Sequence, residues 1–173
     1  MEQYSYEVVW PNPSDATRTN VVDFWLQESA LAKGKAIERA EQLLVVCRDL
    51  DGKVAAVSTV VPSIVSTLGL RCFYFRAFVG RDHRTKGLRA SHLIYRLIRQ
   101  SYDALNERFQ TGIDPDVVGL YMEVENRSVQ RHRNERIWTD LGANLVFVGR
   151  LPGGRHARVW YFENAKIPTI HGS

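Results

Sequence analysis

Apolar residues along the chain recur with two different periods. Three short runs, Leu43–Arg48, Val54–Val61 and Leu70–Val79, are rich in β-branched and aromatic residues, which is typical of buried strands. Asp51-Gly52 stands between the first two runs and predicts a tight hairpin turn. Over Gly87–Arg108 the apolar positions fall three and four residues apart, which predicts one long amphipathic helix.

The rest of the pattern completes a mixed α/β (α+β) fold. Ser14 or Asp15 is suited to cap a first helix, because its side chain can accept a hydrogen bond from a free N–H of the first turn. Together the elements predict a mostly antiparallel twisted sheet of about seven strands, flanked by about four helices, with a β-α-β crossing after the fourth strand. The further elements are strands at Tyr4–Trp10, Val117–Val124, Val146–Arg150 and Arg158–Phe162, and helices at Ala16–Leu31, Lys35–Gln42 and Ser128–Leu141.

The length of the chain is that of one domain. With 173 residues, we expect a single domain over residues 1–173, in which residues 165–173 form a C-terminal tail. No apolar run is long enough to span a membrane, and the first residues lack the charged and then apolar pattern of a signal peptide. We therefore expect a cytoplasmic protein that does not bind membranes.

Charge and cysteine content narrow the chemistry. The net charge of +4 suits an anionic ligand, but the excess is too small to indicate nucleic-acid binding by itself. Cys47 and Cys72 lie in apolar runs without a C-x-x-C motif, which predicts two buried free thiols. The histidines and cysteines show no zinc-ligand spacing, so we predict no metal site.

The segment Arg81–Ser91, between the run that ends at Val79 and the long helix, carries the clearest functional signal. A helix N-terminus presents free N–H groups and the positive end of its dipole, which together favour a bound anion. Gly87 lets the backbone and a ligand approach closely. The turn therefore predicts a pyrophosphate-bearing ligand. Its basic side chains are Arg81, Arg84, Lys86 and Arg89.

With these residues the chain resembles the GCN5-related N-acetyltransferase (GNAT) superfamily over most of its length. The family's signature, R/Q-x-x-G-x-G/A, stands between its fourth strand and third helix, and Arg84–Gly87 matches its first part. Arg89 stands at the last position of the signature. Downstream, Glu123–Asn126 and Trp138–Ala143 are similar to the family's strand ending in Asn and helix ending in Tyr-x-x-x-Gly-Phe, with Trp138 at the place of the Tyr.

The resemblance implies an N-acetyltransferase that uses acetyl-CoA and a primary amine of a small molecule or peptide. In the family the backbone of the turn binds the pyrophosphate of acyl-CoA, the end of the fourth strand pairs with the pantetheine arm as an added strand would, and the Asn contacts that arm or steadies the strand end. The family commonly dimerises, which leaves a homodimer open. The implied CoA ligands are Phe78, Val79, Arg81, Arg84, Thr85, Lys86, Gly87, Leu88, Arg89, Ala90 and Asn126.

Acetyl transfer also needs a group that takes the proton of the amine. The fourth strand has no carboxylate, whereas the fifth carries Glu123 and Glu125 on one face. Glu123 lies further inside the strand and is the preferred base. The alternative, that both carboxylates simply face solvent and have no catalytic role, has equal weight. The donor for the CoA thiolate is open as well, since Tyr121 and Tyr161 are either proton donors or packing aromatics.

Two other functions stay open. A catalytically silent acyl-CoA-binding or regulatory module is one, because the fourth strand lacks a carboxylate and the indole of Trp138 is not a usable acid. A nucleic-acid-modifying member is the other, because Arg127–Arg136 is strongly basic. This segment has no aromatic residue for base stacking and is more typical of a solvated helix face, so nucleic acid is not the expected partner.

Overall fold

The computed structural model describes residues 4–84, 90–125, 130–131, 134–139 and 142–167. In this part of the chain, eight strands form one sheet and three α-helices accompany it, which confirms the predicted mixed α/β fold. The strands are β1 (Ser5–Val8), β2 (Leu43–Arg48), β3 (Val54–Val65), β4 (Leu70–Val79), β5 (Gly119–Val124), β6 (Ile137–Trp138), β7 (Leu145–Arg150) and β8 (His156–Tyr161). The helices are α1 (Asp15–Gln27), α2 (Lys33–Ala40) and α3 (Ala90–Gln110).

The strands lie in the order β1-β2-β3-β4-β5-β8-β7-β6. The pairs β1–β2, β2–β3, β5–β8, β7–β8 and β6–β7 are antiparallel. β4 and β5 are parallel, with Phe73–Phe75 opposite Leu120–Met122. Helix α3 connects these two strands, as a parallel pair requires, and the predicted β-α-β crossing is confirmed.

By its internal contacts the chain divides into two compact units. The first unit comprises Met1–Val61 and Arg76–Ala104, and the second comprises Pro62–Phe75 and Leu105–Ser173. β3, β4 and α3 each contribute residues to both units. Each unit has a hydrophobic core of its own, and that of the second contains Leu70, Cys72, Val118, Tyr121, Ala157 and Val159.

In the first unit, α1 begins where the sequence predicts a cap. The Ser14 side chain accepts a hydrogen bond from the Thr17 N–H at 3.1 Å, which satisfies one free donor of the first turn. The helix then buries its apolar side against α2, β2 and β3. Burial of each large apolar side chain contributes roughly 1.5–3 kcal/mol. The buried residues of this core are Val21, Phe24, Trp25, Ala36, Ala40, Leu43, Val46 and Val57.

The hairpin between β2 and β3 follows from local turn chemistry. The Asp49 carboxylate accepts hydrogen bonds from the N–H groups of Asp51 and Lys53 at 3.0 and 2.9 Å. Gly52 has φ +76°, a left-handed conformation that glycine adopts at little cost. The predicted Asp-Gly hairpin is therefore confirmed, and β3 continues four residues beyond the predicted Val61, to Val65.

The predicted helix over Ser128–Leu141 is wrong in its second half, where Ile137 and Trp138 form the short strand β6. β6 pairs with β7, and it places Trp138 in the core while Ile137 stays exposed, which is the alternation of a strand. Strand pairing and burial of Trp138 outweigh the helical propensity of the surrounding polar residues. Residues 126–129, 132–133 and 140–141 of this region lie outside the described residues.

Candidate functional site

The end of β4 is held by close contacts within the first unit. The Gly80 N–H donates to the Ala55 carbonyl oxygen at 2.8 Å. A Cβ at Gly80 would lie 3.0 Å from the Phe24 ring and 3.2 Å from that carbonyl oxygen, so a larger residue would require these neighbours to shift by a few tenths of an ångström. The next N–H, that of Arg81, donates to the Glu28 carboxylate at 2.9 Å. The backbone therefore leaves the strand at a fixed point and in a fixed direction.

Arg84, the first residue of the signature-like sequence, folds back onto β4. Its Nε donates to the Val79 carbonyl oxygen at 2.7 Å, and its guanidinium carbon lies 4.9 Å from the centre of the Phe78 ring. Phe78 packs edge to face against Phe24 at 5.7 Å between ring centres. These contacts fix the conformation of the chain between Val79 and Arg84 and place a positive charge beside the strand end.

His83 fastens the short 3₁₀ helix Arg81–His83 to the rest of the unit. Its Nδ1 is hydrogen-bonded to the Tyr4 hydroxyl at 3.2 Å, and its Nε2 lies 3.9 Å from the Asp49 carboxylate in the β2–β3 hairpin. The histidine thus joins the chain ahead of β1, the hairpin and the turn. These contacts make His83 a support of the turn.

The structure describes part of the predicted CoA-binding set. Phe78, Val79, Arg81 and Arg84 are at the places just given, and Ala90 is the first residue of α3. The CoA-binding roles of the whole set stay predictions, and its other members lie outside the described residues. They are Thr85, Lys86, Gly87, Leu88, Arg89 and Asn126.

In the second unit, the two candidate general bases, Glu123 and Glu125, differ in their surroundings. The Glu123 side chain is 15% exposed and forms an ion pair with Arg155, whereas the Glu125 side chain is 79% exposed. Arg155 also approaches the Glu125 carboxylate, at 3.8 Å. Glu125 therefore faces solvent, and Glu123 is the enclosed carboxylate of the two.

Tyr121 completes a cluster with Glu123. Its hydroxyl donates to the other carboxylate oxygen of Glu123 at 3.4 Å, and its ring lies 5.6 Å from that of Tyr74. Burial, with a smaller contribution from the charge of Glu123, raises the pKa of Tyr121 to about 12. The hydroxyl is therefore protonated at neutral pH and acts as a hydrogen-bond donor to the carboxylate.

The sequence reasoning missed two arginines that organise this unit. Arg155 precedes β8, whose antiparallel register with β5 places Ala157 opposite Glu123. The only sequence signal for Arg155 is that a basic residue stands just before a strand whose predicted partner strand carries a glutamate. Arg158 is fully buried within β8.

Arg158 acts as a structural cation. Its guanidinium lies 3.8 Å from the centre of the Trp138 ring and donates to the carbonyl oxygens of Glu135 and Leu145 at 2.7 and 3.1 Å. Burial lowers the pKa of Arg158 to about 10, which leaves it charged at neutral pH. Trp138 is a buried packing residue whose ring lies against this cation.

The cysteines and the side chains that could ligate a metal do not form a second site in the part of the chain that the structure describes. Cys47 and Cys72 are buried free thiols, as predicted, and burial raises the pKa of each to about 11. Among the described residues, His, Cys, Asp and Glu do not gather in any group of three that could hold a metal ion. In the same part of the chain, the helices are too short or too polar to cross a membrane.

Comparison with known proteins gives matches in structure alone. No protein-family model and no curated protein matches the sequence. The GNAT family N-acetyltransferase YhbS from Escherichia coli, in complex with CoA, is 13% identical with a TM-score of 0.59, over 95% of this chain and 84% of that one. A GNAT family acetyltransferase from Bacillus cereus is 10% identical with a TM-score of 0.52, over 95% and 100%. Tetrahymena GCN5 is 10% identical with a TM-score of 0.51, over 92% and 96%.

These matches cover nearly the whole chain, and the chain therefore has the GNAT fold. The fold expected from the signature-like turn and the strand that ends at Glu123–Asn126 is confirmed. At identities of 10–13%, these structural matches establish the fold alone. The reaction has to be argued from the residues.

Proposed function

We propose that this protein is an acyl-CoA-dependent N-acyltransferase that moves an acetyl group from acetyl-CoA to a primary amine. The observation that carries the proposal is the basic, glycine-containing turn that leads from β4 into α3 in a chain with the GNAT fold. One structural neighbour with this fold, from Escherichia coli, is in complex with CoA. A pyrophosphate is the ligand that such a turn suits.

The CoA-binding roles follow from the way the strand end is built. Residues 85–90 lead into the N-terminus of α3, whose free N–H groups and dipole would bind the pyrophosphate. Arg84 is already engaged with Val79 and Phe78, so we assign it to fixing the turn, and assign the direct charge contacts to Lys86 and Arg89. The backbone of Phe78 and Val79 would pair with the pantetheine arm, and Asn126 would contact the same arm.

The proposed reaction is a direct attack. The amine nitrogen adds to the thioester carbonyl carbon, the new C–N bond replaces the C–S bond, and the electron pair of the C–S bond goes to sulfur. The amine must lose one proton, and the thiolate accepts one from Tyr121 or from solvent. Proton transfer to a positioned carboxylate contributes roughly 100- to 10,000-fold to such rates.

Within the second unit, Glu123 is the best base. It is largely enclosed, and its two oxygens are held by Arg155 and by the Tyr121 hydroxyl, so the direction of its free lone pairs is fixed. Glu125 is exposed to solvent by comparison, which gives it at most a supporting charge. Tyr121 stays protonated, and after Glu123 has taken the amine proton it can give its own proton to the thiolate and regain one from the carboxyl group.

The test is an amine panel with acetyl-CoA, in which the released thiol of CoA is measured. We expect thiol release that saturates with both acetyl-CoA and at least one amine, and a product heavier than the amine by one acetyl group. CoA binding without thiol release on any amine would contradict the enzyme and support a silent CoA-binding module. Trp138 beneath Arg158, at the place of a conventional acid, is the observation that favours that second candidate.

A further inference from the structure

Two segments of the first unit that are far from the basic turn in sequence meet at His83, in the 3₁₀ helix that leads into that turn. Tyr4 stands directly ahead of β1, and its hydroxyl is 3.2 Å from Nδ1 of His83. The two rings meet edge to face, with 5.7 Å between their centres. On the other side of the imidazole, Nε2 lies 3.9 Å from the carboxylate of Asp49, in the hairpin that follows β2. Each ring nitrogen of His83 therefore has a polar partner.

The Asp49 carboxylate uses its two oxygen atoms for different contacts. Oδ1 accepts the hydrogen bonds from the N–H groups of Asp51 and Lys53 that hold the hairpin. Oδ2 is the oxygen that faces His83. The side chains of His83 and Asp49 are 22% and 21% exposed, so solvent screens their attraction less than it would on an open surface.

The direction of the Tyr4 hydrogen bond follows from the protonation of its hydroxyl. Burial, with smaller contributions from Cys47 and Asp49, raises the pKa of Tyr4, so the hydroxyl is protonated at neutral pH. When it donates to Nδ1, the neutral imidazole carries its own proton on Nε2, on the side of the Asp49 carboxylate. A distance of 3.9 Å is too long for a hydrogen bond, so Asp49 acts as a charge on this N–H dipole.

These side-chain contacts add to the backbone contacts of the same short segment. The Arg81 N–H donates to Glu28, and the His83 N–H donates to the Gly80 carbonyl oxygen at 3.0 Å. The backbone is thus held where it leaves β4, and the His83 side chain holds it just before Arg84. A turn that is ordered before its ligand arrives loses less conformational entropy on binding, which strengthens the binding.

β1, which Tyr4 directly precedes, has few buried contacts. It lies at one edge of the sheet of described strands, where it pairs with β2, and three of its four residues are exposed. Elements of this kind open locally at a lower free energy than strands in the core. When β1 opens, Tyr4 leaves His83, and the turn loses one of its supports.

We propose that Tyr4, His83 and Asp49 form a latch that positions the turn for CoA, so that the docking of β1 sets the affinity for CoA. The latch rests on the proposed function for its ligand. Its members act on CoA through the chain between Arg81 and Arg84, which makes them positioning residues. The coupling is reciprocal, since CoA must stabilise the docked β1 by the same factor by which docking of β1 strengthens CoA binding.

The first experiment measures CoA affinity and turnover in variants of the latch. Tyr4→Phe removes one hydroxyl and keeps the ring. The Kd of CoA and the KM for acetyl-CoA should rise roughly 3- to 10-fold, while kcat at saturating acetyl-CoA stays unchanged, because bound CoA itself then holds the turn. Asp49→Asn keeps an oxygen for the hairpin and removes the charge, so we expect a smaller rise. Tyr6→Phe is the matched control, because its hydroxyl interacts mainly with Cys47, and it should leave all three constants unchanged.

The second experiment measures the coupling by hydrogen exchange. CoA should slow amide exchange over Ser5–Val8 in the wild type. His83→Phe keeps a ring and removes both nitrogen atoms, and in this variant CoA should no longer slow exchange in β1. A role in stability alone would give faster exchange in the free variant but would leave the slowing by CoA intact.

The outcomes separate the latch from the proposed function. CoA binding that is equally tight in the wild type, Tyr4→Phe and His83→Phe overturns the latch and leaves the acyltransferase standing. The same holds for a loss of affinity that Tyr6→Phe shares. A wild type that does not bind CoA contradicts the proposed function, and the latch is then judged by exchange in the free protein. Faster exchange over Arg81–Arg84 in Tyr4→Phe supports it, and an unchanged rate overturns it.

Discussion

Each of the two units contains an arginine that stacks on an aromatic ring and donates to the main chain, but the two arginines differ in their surroundings. Arg84, beside the turn after β4, is exposed, covers Phe78 and donates to one carbonyl oxygen. Arg158, in β8, is fully buried, stacks on the ring of Trp138 and donates to two carbonyl oxygens.

The difference shows how one kind of contact serves two purposes. Around Arg84 the polar groups fix the backbone while Arg81 and Arg84 stay exposed, which suits a region that binds a ligand. Around Arg158 they satisfy main-chain carbonyl groups, so this region supports β8, the strand that pairs with β5 and its Glu123 and that Arg155 precedes. We therefore propose that the first region binds the pyrophosphate of CoA, and that the second provides proton transfer and its structural support.

The largest effect that tests this assignment is expected at Glu123. Glu123→Gln removes the proposed base but keeps the size of the side chain, and we expect thiol release from acetyl-CoA to fall roughly 100- to 10,000-fold. The affinity for CoA should not change, because Glu123 is not one of the proposed CoA contacts and the amide keeps its size. Turnover gives the first quantity and calorimetric titration with CoA gives the second.

Glu125→Gln is the matched control for this variant. Its side chain is 79% exposed, and the same isosteric change should alter turnover less than about threefold. Equal losses of turnover in the two variants would mean that the enclosed position of Glu123 does not contribute to catalysis. A loss of CoA affinity in Glu123→Gln would contradict the separation of CoA binding from proton transfer.

Replacing the two arginines tests the comparison directly. Arg158→Met leaves the carbonyl groups of Glu135 and Leu145 without their donor, and we expect the free energy of unfolding to fall by about 2–4 kcal/mol. Arg84→Met should cost less than about 1 kcal/mol, because its hydrogen bond is exposed, and should weaken CoA binding instead. Urea unfolding and CoA titration of both variants would show whether the two effects separate, and equal destabilisation would refute the distinction.

A smaller effect is expected from pH. Burial, with the charges of Arg150 and Arg158, lowers the pKa of His156, so this side chain is neutral in the folded protein at pH 7. In the unfolded chain its pKa returns to the ordinary value near 6.5. Stability from this group is therefore full above about pH 6.5 and is lost as the pH falls toward the lower, folded-state pKa.

The corresponding variant is His156→Gln. Urea midpoints at pH 8, 6.5 and 5 should fall more steeply for the wild type than for the variant, whatever the difference between the two proteins at pH 8. Parallel curves would show that burial of His156 does not couple to protonation.

Local signals explain why much of the fold could be predicted from the sequence. The Asp51-Gly52 hairpin, the Ser14 cap and the limits of β2 and β4 each depend on residues close together in the chain, and the structure confirms them. The same holds for the place of the basic turn between β4 and α3. Each of these features needs no knowledge of a distant partner.

Features that depend on partners far away in the sequence were not predicted. β6 exists because it pairs with β7 and because Trp138 meets Arg158, 20 positions further along the chain. The partner of Glu123 is 32 residues away and follows from the register of β5 with β8. Glu123 and Glu125 have the same sequence pattern, and packing alone distinguishes them.

The most direct test of the central claim, that the turn after β4 binds acyl-CoA, is the affinity of Gly87→Glu for CoA. The variant adds a bulky negative side chain where a pyrophosphate should approach the backbone, and we predict binding at least roughly 100-fold weaker with an unchanged unfolding temperature. Gly34→Glu is the matched control, because a side chain at this position in α2 meets open space. It should bind CoA like the wild type, and a Gly87→Glu protein that does so as well would contradict the claim.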